Sequence, residues 1–128
     1  MLEKLRAALR GRTDVKLALL FGSQATGRAQ ASSDVDVAVD APGVDSYALA
    51  GELGRATGEE VHLVSLDAAG LPLVEALLRD GVLVHESRRG NAAAWRTRAI
   101  LAMETDGASY DRMRRAFLAR VAARGFGG

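Results

Sequence analysis

Apolar and polar residues follow two different periods along the chain, and these periods predict alternating helices and strands. Apolar side chains at helical spacing predict a helix over residues 2–10, which Gly11 would end. The apolar run over 15–21 is typical of a buried strand, and residues 35–40 alternate with the period of two that a strand shows. Residues 22–33 are rich in Gly, Ser, Ala and Gln, which predicts a loop with a short helix.

The same alternation continues through the second half of the chain. A helix that Asp45 or Ser46 would cap is predicted over 45–56, followed by a strand over 60–66, a helix over 70–79 and a strand over 82–85. Two helices are expected to finish the chain, the last over about 107–123. The aromatic and apolar side chains expected to pack are Tyr47, Trp95 (in the core or at an interface) and the stripe of Tyr110, Met113, Phe117 and Val121.

This order of elements predicts the fold class and the number of domains. The 128 residues contain no internal repeat, low-complexity tract or linker, so we expect a single domain over 1–128. Strands that alternate with helices indicate an α/β or α+β fold. We therefore predict a small mixed sheet of about four strands flanked by helices, with further helices at the C-terminal end.

Composition excludes several kinds of site. The chain has no Cys, which excludes a disulfide framework, a thiolate zinc site and a cysteine nucleophile. Two His residues leave little material for a His-rich metal cage or a Ser-His-Asp triad. The apolar run that ends at Phe21 is too short to span a membrane, and residues 1–6 lack a signal-peptide core. We therefore expect a cytoplasmic protein with no membrane partner.

The formal net charge of +1 conceals two oppositely charged regions. Residues 1–86 contain 8 basic and 13 acidic side chains, whereas residues 87–128 contain 9 Arg and 3 acidic side chains. The acidic body suits a divalent cation. The basic tail could bind an acidic partner or form a solvated helix face. It lacks the interleaved aromatic side chains of single-strand binders, so a nucleic-acid partner is not expected.

One group of residues combines a Gly-Ser turn with paired carboxylates. Gly22 and Ser23 directly follow the first predicted strand, and ten residues separate Ser23 from Asp34. Asp34 and Asp36 are two residues apart on the next strand, so both carboxylates face the same side. Carboxylate pairs bind hard cations such as Mg²⁺, and a Gly-Ser turn offers N–H groups and a hydroxyl to phosphates. The combination suggests metal-assisted phosphoryl or nucleotidyl transfer.

These residues resemble a known signature. Gly22-Ser23, ten residues, and then Asp34-Val35-Asp36 are similar to the motif of the minimal nucleotidyltransferases, which belong to the DNA polymerase beta-like superfamily. Gly27 and Ser33 also fit that motif. The resemblance covers a core of about 12–86, leaving a helical extension over about 90–124.

The resemblance implies roles for individual residues. Gly22 and Ser23 would hold the triphosphate of a nucleoside triphosphate, with Ser33 as a further nucleotide contact, while Asp34 and Asp36 would hold Mg²⁺. Arg28 lies in the same loop and could contact a phosphate through its guanidinium, or could equally face solvent.

The sequence departs from the family pattern at His62. The family carries a third carboxylate on the next strand, and His62 occupies that position in the stretch 61–66. His62 could act as a general base, or it could bind a softer metal such as Mn²⁺ or Zn²⁺. Alternatively, catalysis is weakened or lost, or His62 has an unrelated structural role. Glu60 lies two residues earlier on the same face and could supply a carboxylate if the site has shifted.

The resemblance also implies a function and a partner. Members of the resembled family move a nucleoside monophosphate, here expected to be AMP, to an acceptor hydroxyl. They commonly pair as antitoxins with a helical HEPN-type toxin. The alternative is an inactive homologue that acts as an antitoxin or scaffold by binding alone, because His62 replaces a carboxylate. Antibiotic nucleotidylation is less favoured, since those relatives carry helical domains that 128 residues cannot contain. Association into a homo-oligomer is left open.

Overall fold

The chain forms nine helices and strands over the residues described. The computed structural model describes residues 1–27 and 34–124, and beyond residue 105 it describes the side chains of 112, 115, 116, 118 and 119. In chain order the elements are α1 (Leu2–Leu9), β1 (Leu17–Phe21), α2 (Ser23–Thr26), β2 (Val35–Asp40), α3 (Ser46–Thr57), β3 (Val61–Ser65), α4 (Leu71–Asp80), β4 (Val82–Glu86) and α5 (Asn91–Arg124).

The four strands form one mixed sheet in the order β3-β2-β1-β4. β1 is antiparallel to both β2 and β4, whereas β2 and β3 run parallel. In this register Asp36 lies opposite Phe21 of β1 on one side and opposite His62 of β3 on the other. The predicted mixed sheet of about four strands flanked by helices is confirmed.

One face of the sheet is covered by α1 and α3. Leu5 and Leu9 of α1 and Leu49 and Leu53 of α3 are buried there. Their partners on the sheet include the valines at 35, 37 and 39 of β2. Each buried leucine contributes about 2 kcal/mol of transfer free energy. The alternate residues of β2 are thereby directed to the opposite face.

The opposite face is covered by α4 and the first part of α5. Ala38 and Leu77 are buried in this second core, and Trp95 packs against it, as expected for a core side chain. Ala38 is fully buried, Asp36 is half-buried and the side chain of Asp34 is 54% exposed. Exposure therefore increases along this face of β2 toward its N-terminal end, where the acidic residues lie.

The start of α3 confirms one prediction and corrects another. Asp45 is the N-cap, and its carboxylate accepts hydrogen bonds from the N–H groups of Tyr47 and Ala48 at 2.9 and 3.3 Å. The expectation that Tyr47 packs in the interior is wrong, because Tyr47 is 92% exposed. Two residues turn an α-helix by about 200°, so Tyr47 points away from the sheet that Leu49 contacts.

The end of the chain forms one helix rather than two. α5 continues from Asn91 to Arg124, a rise of about 50 Å. Gly107 costs the helix about 1 kcal/mol relative to Ala, and this weak signal does not end it. At the start of α5, the Glu86 carboxylate accepts hydrogen bonds from the N–H groups of Gly90 and Ala92 at 2.9 and 3.1 Å. The expected stripe of Tyr110, Met113, Phe117 and Val121 lies outside the described side chains.

No helix in the described part of the chain has the length and apolar character needed to cross a membrane.

Candidate active site

A glycine turn connects β1 to the short helix α2. Gly22 adopts a φ of +74° as the N-cap of α2, a conformation that residues with a Cβ rarely adopt. A Cβ at this position would lie 2.6 Å from Oδ2 of Asp36. Glycine is therefore required both by the backbone and by the space the Asp36 carboxylate occupies. Ser23 follows as the first residue of α2, so the turn predicted to hold phosphates adjoins Asp36.

The carboxylate of Asp34 lies against His62. Nε2 of His62 is 3.2 Å from Oδ2 of Asp34, and the two side chains are 49% and 54% exposed. Pairing of β2 with β3 produces this contact, because the register sets Val35 opposite Val61 and Asp36 opposite His62. The structure therefore brings Asp34, Asp36 and His62 to one end of one sheet face.

Glu60 joins this group from the residue before β3. Its Oε1 lies 3.8 Å from Nε2 of His62, although its side chain is 74% exposed. One ligand atom each from Asp34, Glu60 and His62 can lie within 4.8 Å of one another. Sequence reasoning gave Glu60 a subordinate place. The signal for it was its spacing of two residues from His62, which sets both side chains on one face of the strand.

The Asp36 carboxyl group has the most perturbed environment of the site. Its partial burial raises its pKa, the nearby His62 acts to lower it, and the negative charge of Asp34 raises it further. Withdrawal from water thus disfavours the ionised form of Asp36. A bound cation would counter this effect, because its positive charge would stabilise the carboxylate in place of the water that burial removes.

The donor atoms of this site fit a divalent cation. The carboxylates of Asp34, Asp36 and Glu60 are hard oxygen ligands, which Mg²⁺ and Mn²⁺ both accept, and the imidazole of His62 is a nitrogen ligand. Asp34 and Asp36 would hold the ion together with His62 or Glu60. When bound, such an ion neutralises charge on a triphosphate and polarises its phosphorus–oxygen bonds.

Two predicted nucleotide contacts, Arg28 and Ser33, lie outside the described residues. The remaining predicted site residues, Gly22, Ser23, Asp34, Asp36 and His62, are all described. Of these, the structure places Gly22 against Asp36 and Asp34 against His62.

The other histidine serves the fold. Nε2 of His85 lies 2.8 Å from the backbone carbonyl oxygen of Arg12, and because a carbonyl only accepts, Nε2 carries the proton and donates. This contact ties β4 to the segment that precedes β1. The prediction that His85 has a packing or surface role rather than a ligating one agrees with this bond.

Solved structures share this fold over nearly the whole chain. A toxin–antitoxin structure with AMP-PNP superposes with a TM-score of 0.75 at 24% identity, over 91% of this chain and 98% of that chain. The MntA–HepT toxin–antitoxin structure gives 0.67 at 23%, over 91% and 96%. The complex of a tri-AMPylated Shewanella oneidensis HEPN toxin with an MNT antitoxin gives 0.67 at 21%, over 92% and 99%. At these identities the likeness shows a shared fold.

A family match shows membership directly. No curated protein matches the chain. The family described as polymerase beta, nucleotidyltransferase matches residues 3–89, which include the glycine turn, the paired carboxylates and both strands that carry the site. The chain therefore belongs to the polymerase beta nucleotidyltransferase family.

Proposed function

We propose that the protein transfers AMP from ATP to an acceptor hydroxyl on a helical HEPN-type toxin, and so acts as its antitoxin. The observation that carries this proposal is the contact of Gly22 with Asp36. It sets a turn suited to phosphates directly beside carboxylates suited to a divalent cation. The similar structures with AMP-PNP and with an AMPylated HEPN toxin support AMP as the transferred group and the toxin as the acceptor.

The residues of the site have distinct roles in this proposal. The acceptor oxygen attacks the α-phosphorus of ATP, the bond to pyrophosphate breaks, and pyrophosphate leaves. Gly22 and Ser23 bind and orient the triphosphate, and Asp34 and Asp36 hold Mg²⁺ or Mn²⁺. His62, half-exposed and next to Asp34, binds the same ion through Nε2, and the proton of the attacking hydroxyl leaves to solvent at this exposed end of the site. Asp34 orients the imidazole through the 3.2 Å contact.

A second function, neutralisation of the toxin by binding alone, is favoured by that same contact. A protonated His62 forms an ion pair with Asp34 and so occupies the carboxylate that would otherwise bind a cation. In this case no AMP is transferred, and α5 offers exposed Ile100 and Leu101 to a partner. The two functions differ in whether neutralisation depends on the carboxylates.

A labelled-nucleotide assay tests the proposal. The protein is incubated with α-labelled ATP, Mg²⁺ or Mn²⁺, and a candidate HEPN-type toxin. We expect label on the partner, and a loss on the order of 10³-fold in the Asp34→Ala, Asp36→Ala double variant. Asp67→Ala is the control, because Asp67 is an exposed carboxylate beyond the other end of β3.

Two outcomes would contradict the proposed transfer. Label that persists in the double variant would exclude the carboxylates from the reaction. Absence of label, together with toxin neutralised equally by the wild type and the double variant, would establish the binding function instead.

A further inference from the structure

The donors around His62 differ chemically from a site made of carboxylates alone. Nε2 of His62 lies 3.2 Å from Oδ2 of Asp34 and 3.8 Å from Oε1 of Glu60, between the two carboxylates. Pairing of the strands brings these groups together: the N–H of Val35 donates to the carbonyl of Glu60 at 3.0 Å, so Asp34 and Glu60, the residues just before β2 and β3, lie side by side. One nitrogen and two carboxylate oxygens thus meet at the N-terminal ends of β2 and β3.

Such a donor set discriminates among divalent ions. Mg²⁺ prefers oxygen ligands and retains its waters, whereas imidazole suits first-row transition ions, among which Mn²⁺ is the weakest binder and the closest substitute for Mg²⁺. We infer that Asp34, Glu60 and His62 form a mixed nitrogen and oxygen site that selects a first-row transition ion over Mg²⁺. This rests on the proposed function, since it names the metal of that same site. It also makes Glu60 a ligand in place of the carboxylate that His62 displaces.

The arrangement of Asp36 supports this assignment. Asp36 is half-buried beside Gly22, whereas Asp34, Glu60 and His62 are all exposed and close enough for one ion to contact all three. Asp36 therefore faces the glycine turn, and the other three face solvent. Asp36 lies opposite His62 in the strand register, so its carboxylate stays next to the residues that would hold the ion.

Metal binding is measured on the full chain without nucleotide, so the result does not depend on AMP transfer. Mn²⁺ is titrated while the electron paramagnetic resonance signal of the free ion is recorded, and Mg²⁺ is then added as a competitor. We expect Mn²⁺ to be retained against about a tenfold excess of Mg²⁺. Bound Mn²⁺ should also show the hyperfine modulation of a directly bonded ¹⁴N nucleus.

Three variants assign the ligands. His62→Asp should lose the nitrogen modulation and reduce the preference for Mn²⁺ severalfold, toward that of an all-oxygen site. Glu60→Gln should weaken Mn²⁺ binding about tenfold, whereas Glu59→Gln, a change at the preceding residue in the bend before β3, should not. Circular dichroism should be unchanged throughout, because the substituted residues are exposed or half-exposed.

The inference is overturned if Mn²⁺ fails to bind, if equimolar Mg²⁺ displaces it, or if His62→Asp keeps the preference. Equal effects of Glu60→Gln and Glu59→Gln would remove Glu60 from the site. AMP transfer with Mg²⁺ in a protein that shows no preference for Mn²⁺ would leave the proposed function standing while the inference fails. Selective Mn²⁺ binding without transfer would support the inference and remove the proposed function.

Discussion

Two groups of carboxylates lie on this fold, and they differ in the cation that accompanies them. At one, Arg12 donates to both oxygens of Asp14 at 2.8 Å and to Glu52 of α3 at 2.7 Å. At the other, Asp34 and Glu60 face His62, whose charge depends on its protonation. The first group contains its own permanent positive charge. The second contains no permanent positive charge among its described residues.

The pKa shifts express the same difference. The hydrogen bond from Arg12 lowers the pKa of Asp14, and its two carboxylate partners raise the pKa of Arg12 itself. Burial instead raises the pKa of Asp36. Asp14 is thus stabilised in its charged form by the chain itself, whereas burial disfavours the charged form of Asp36. In the proposed site, a bound cation would offset that cost.

The largest effect that tests this comparison is expected at Gly22. In Gly22→Ala the added Cβ would displace the Asp36 carboxylate, so we expect AMP transfer to fall about 100-fold. Gly58→Ala is a matched control, because Gly58, at the end of α3, has the same φ of +74° with no atom within 4 Å of a Cβ.

Both glycine variants should lose about 1 kcal/mol of folding stability from the unfavourable φ. Only Gly22→Ala should lose transfer of label to the partner. Equal losses of activity in the two variants would show that the backbone conformation matters and the contact with Asp36 does not.

A smaller effect is expected at the structural group. Arg12→Met removes three charge-assisted hydrogen bonds and leaves Asp14 and Glu52 unpaired, so we expect the Tm to fall by a few degrees. Arg79→Met should leave the Tm unchanged, since Arg79 pairs with its neighbour Asp80 on an exposed surface. AMP transfer should persist in both variants below the Tm. Loss of AMP transfer in Arg12→Met, but not in Arg79→Met, would show that the Arg12 group also serves the activity and would contradict the comparison.

The smallest effect is a difference in the sign of the pH dependence. Because the pKa of Asp14 is lowered by folding, its stabilising contribution is present above its unfolded pKa of about 3.9 and is lost as the pH falls through the folded value. Because the pKa of Asp36 is raised, its contribution is lost as the pH rises from about 3.9 through the folded value.

Asp36→Asn should therefore stabilise the protein at neutral pH, with a gain that vanishes at acidic pH. Asp14→Asn should destabilise it at neutral pH, with a loss that also vanishes at acidic pH. Thermal unfolding of the two metal-free variants between pH 3 and pH 7 measures both trends. The comparison fails if the two variants shift the Tm in the same direction at neutral pH.

The sheet and the paired aspartates were predictable because both are local signals. The period of two over 35–40 predicts a strand and also sets Asp34 and Asp36 on one face. The proximity of His62 to Asp34 could be predicted only from the family resemblance, because parallel pairing of β2 with β3 depends on a crossover through α3. The distance of Glu60 from His62 was not predictable, since it depends on side-chain conformations at the end of a strand.

The errors arose where local signals are weak. Gly107 is one residue within a long helical sequence, and its cost of about 1 kcal/mol is small beside the hydrogen bonds of a continuing helix. Tyr47 occupies an apolar stretch that begins next to the cap of α3, where the sequence alone does not show which residue turns toward the sheet. The side that faces the core is decided by Leu49 and Leu53, which pack against β2.

The exposure of β3 has an evolutionary consequence. Val61 is buried, whereas Glu60 and His62 on either side of it are exposed, so the residues that fold the strand and those that carry chemistry are separate sets. A substitution at position 60 or 62 can therefore change the proposed metal site without opening a cavity in the core. The chemistry proposed for this end of the sheet can thus vary independently of the packing that folds the strand.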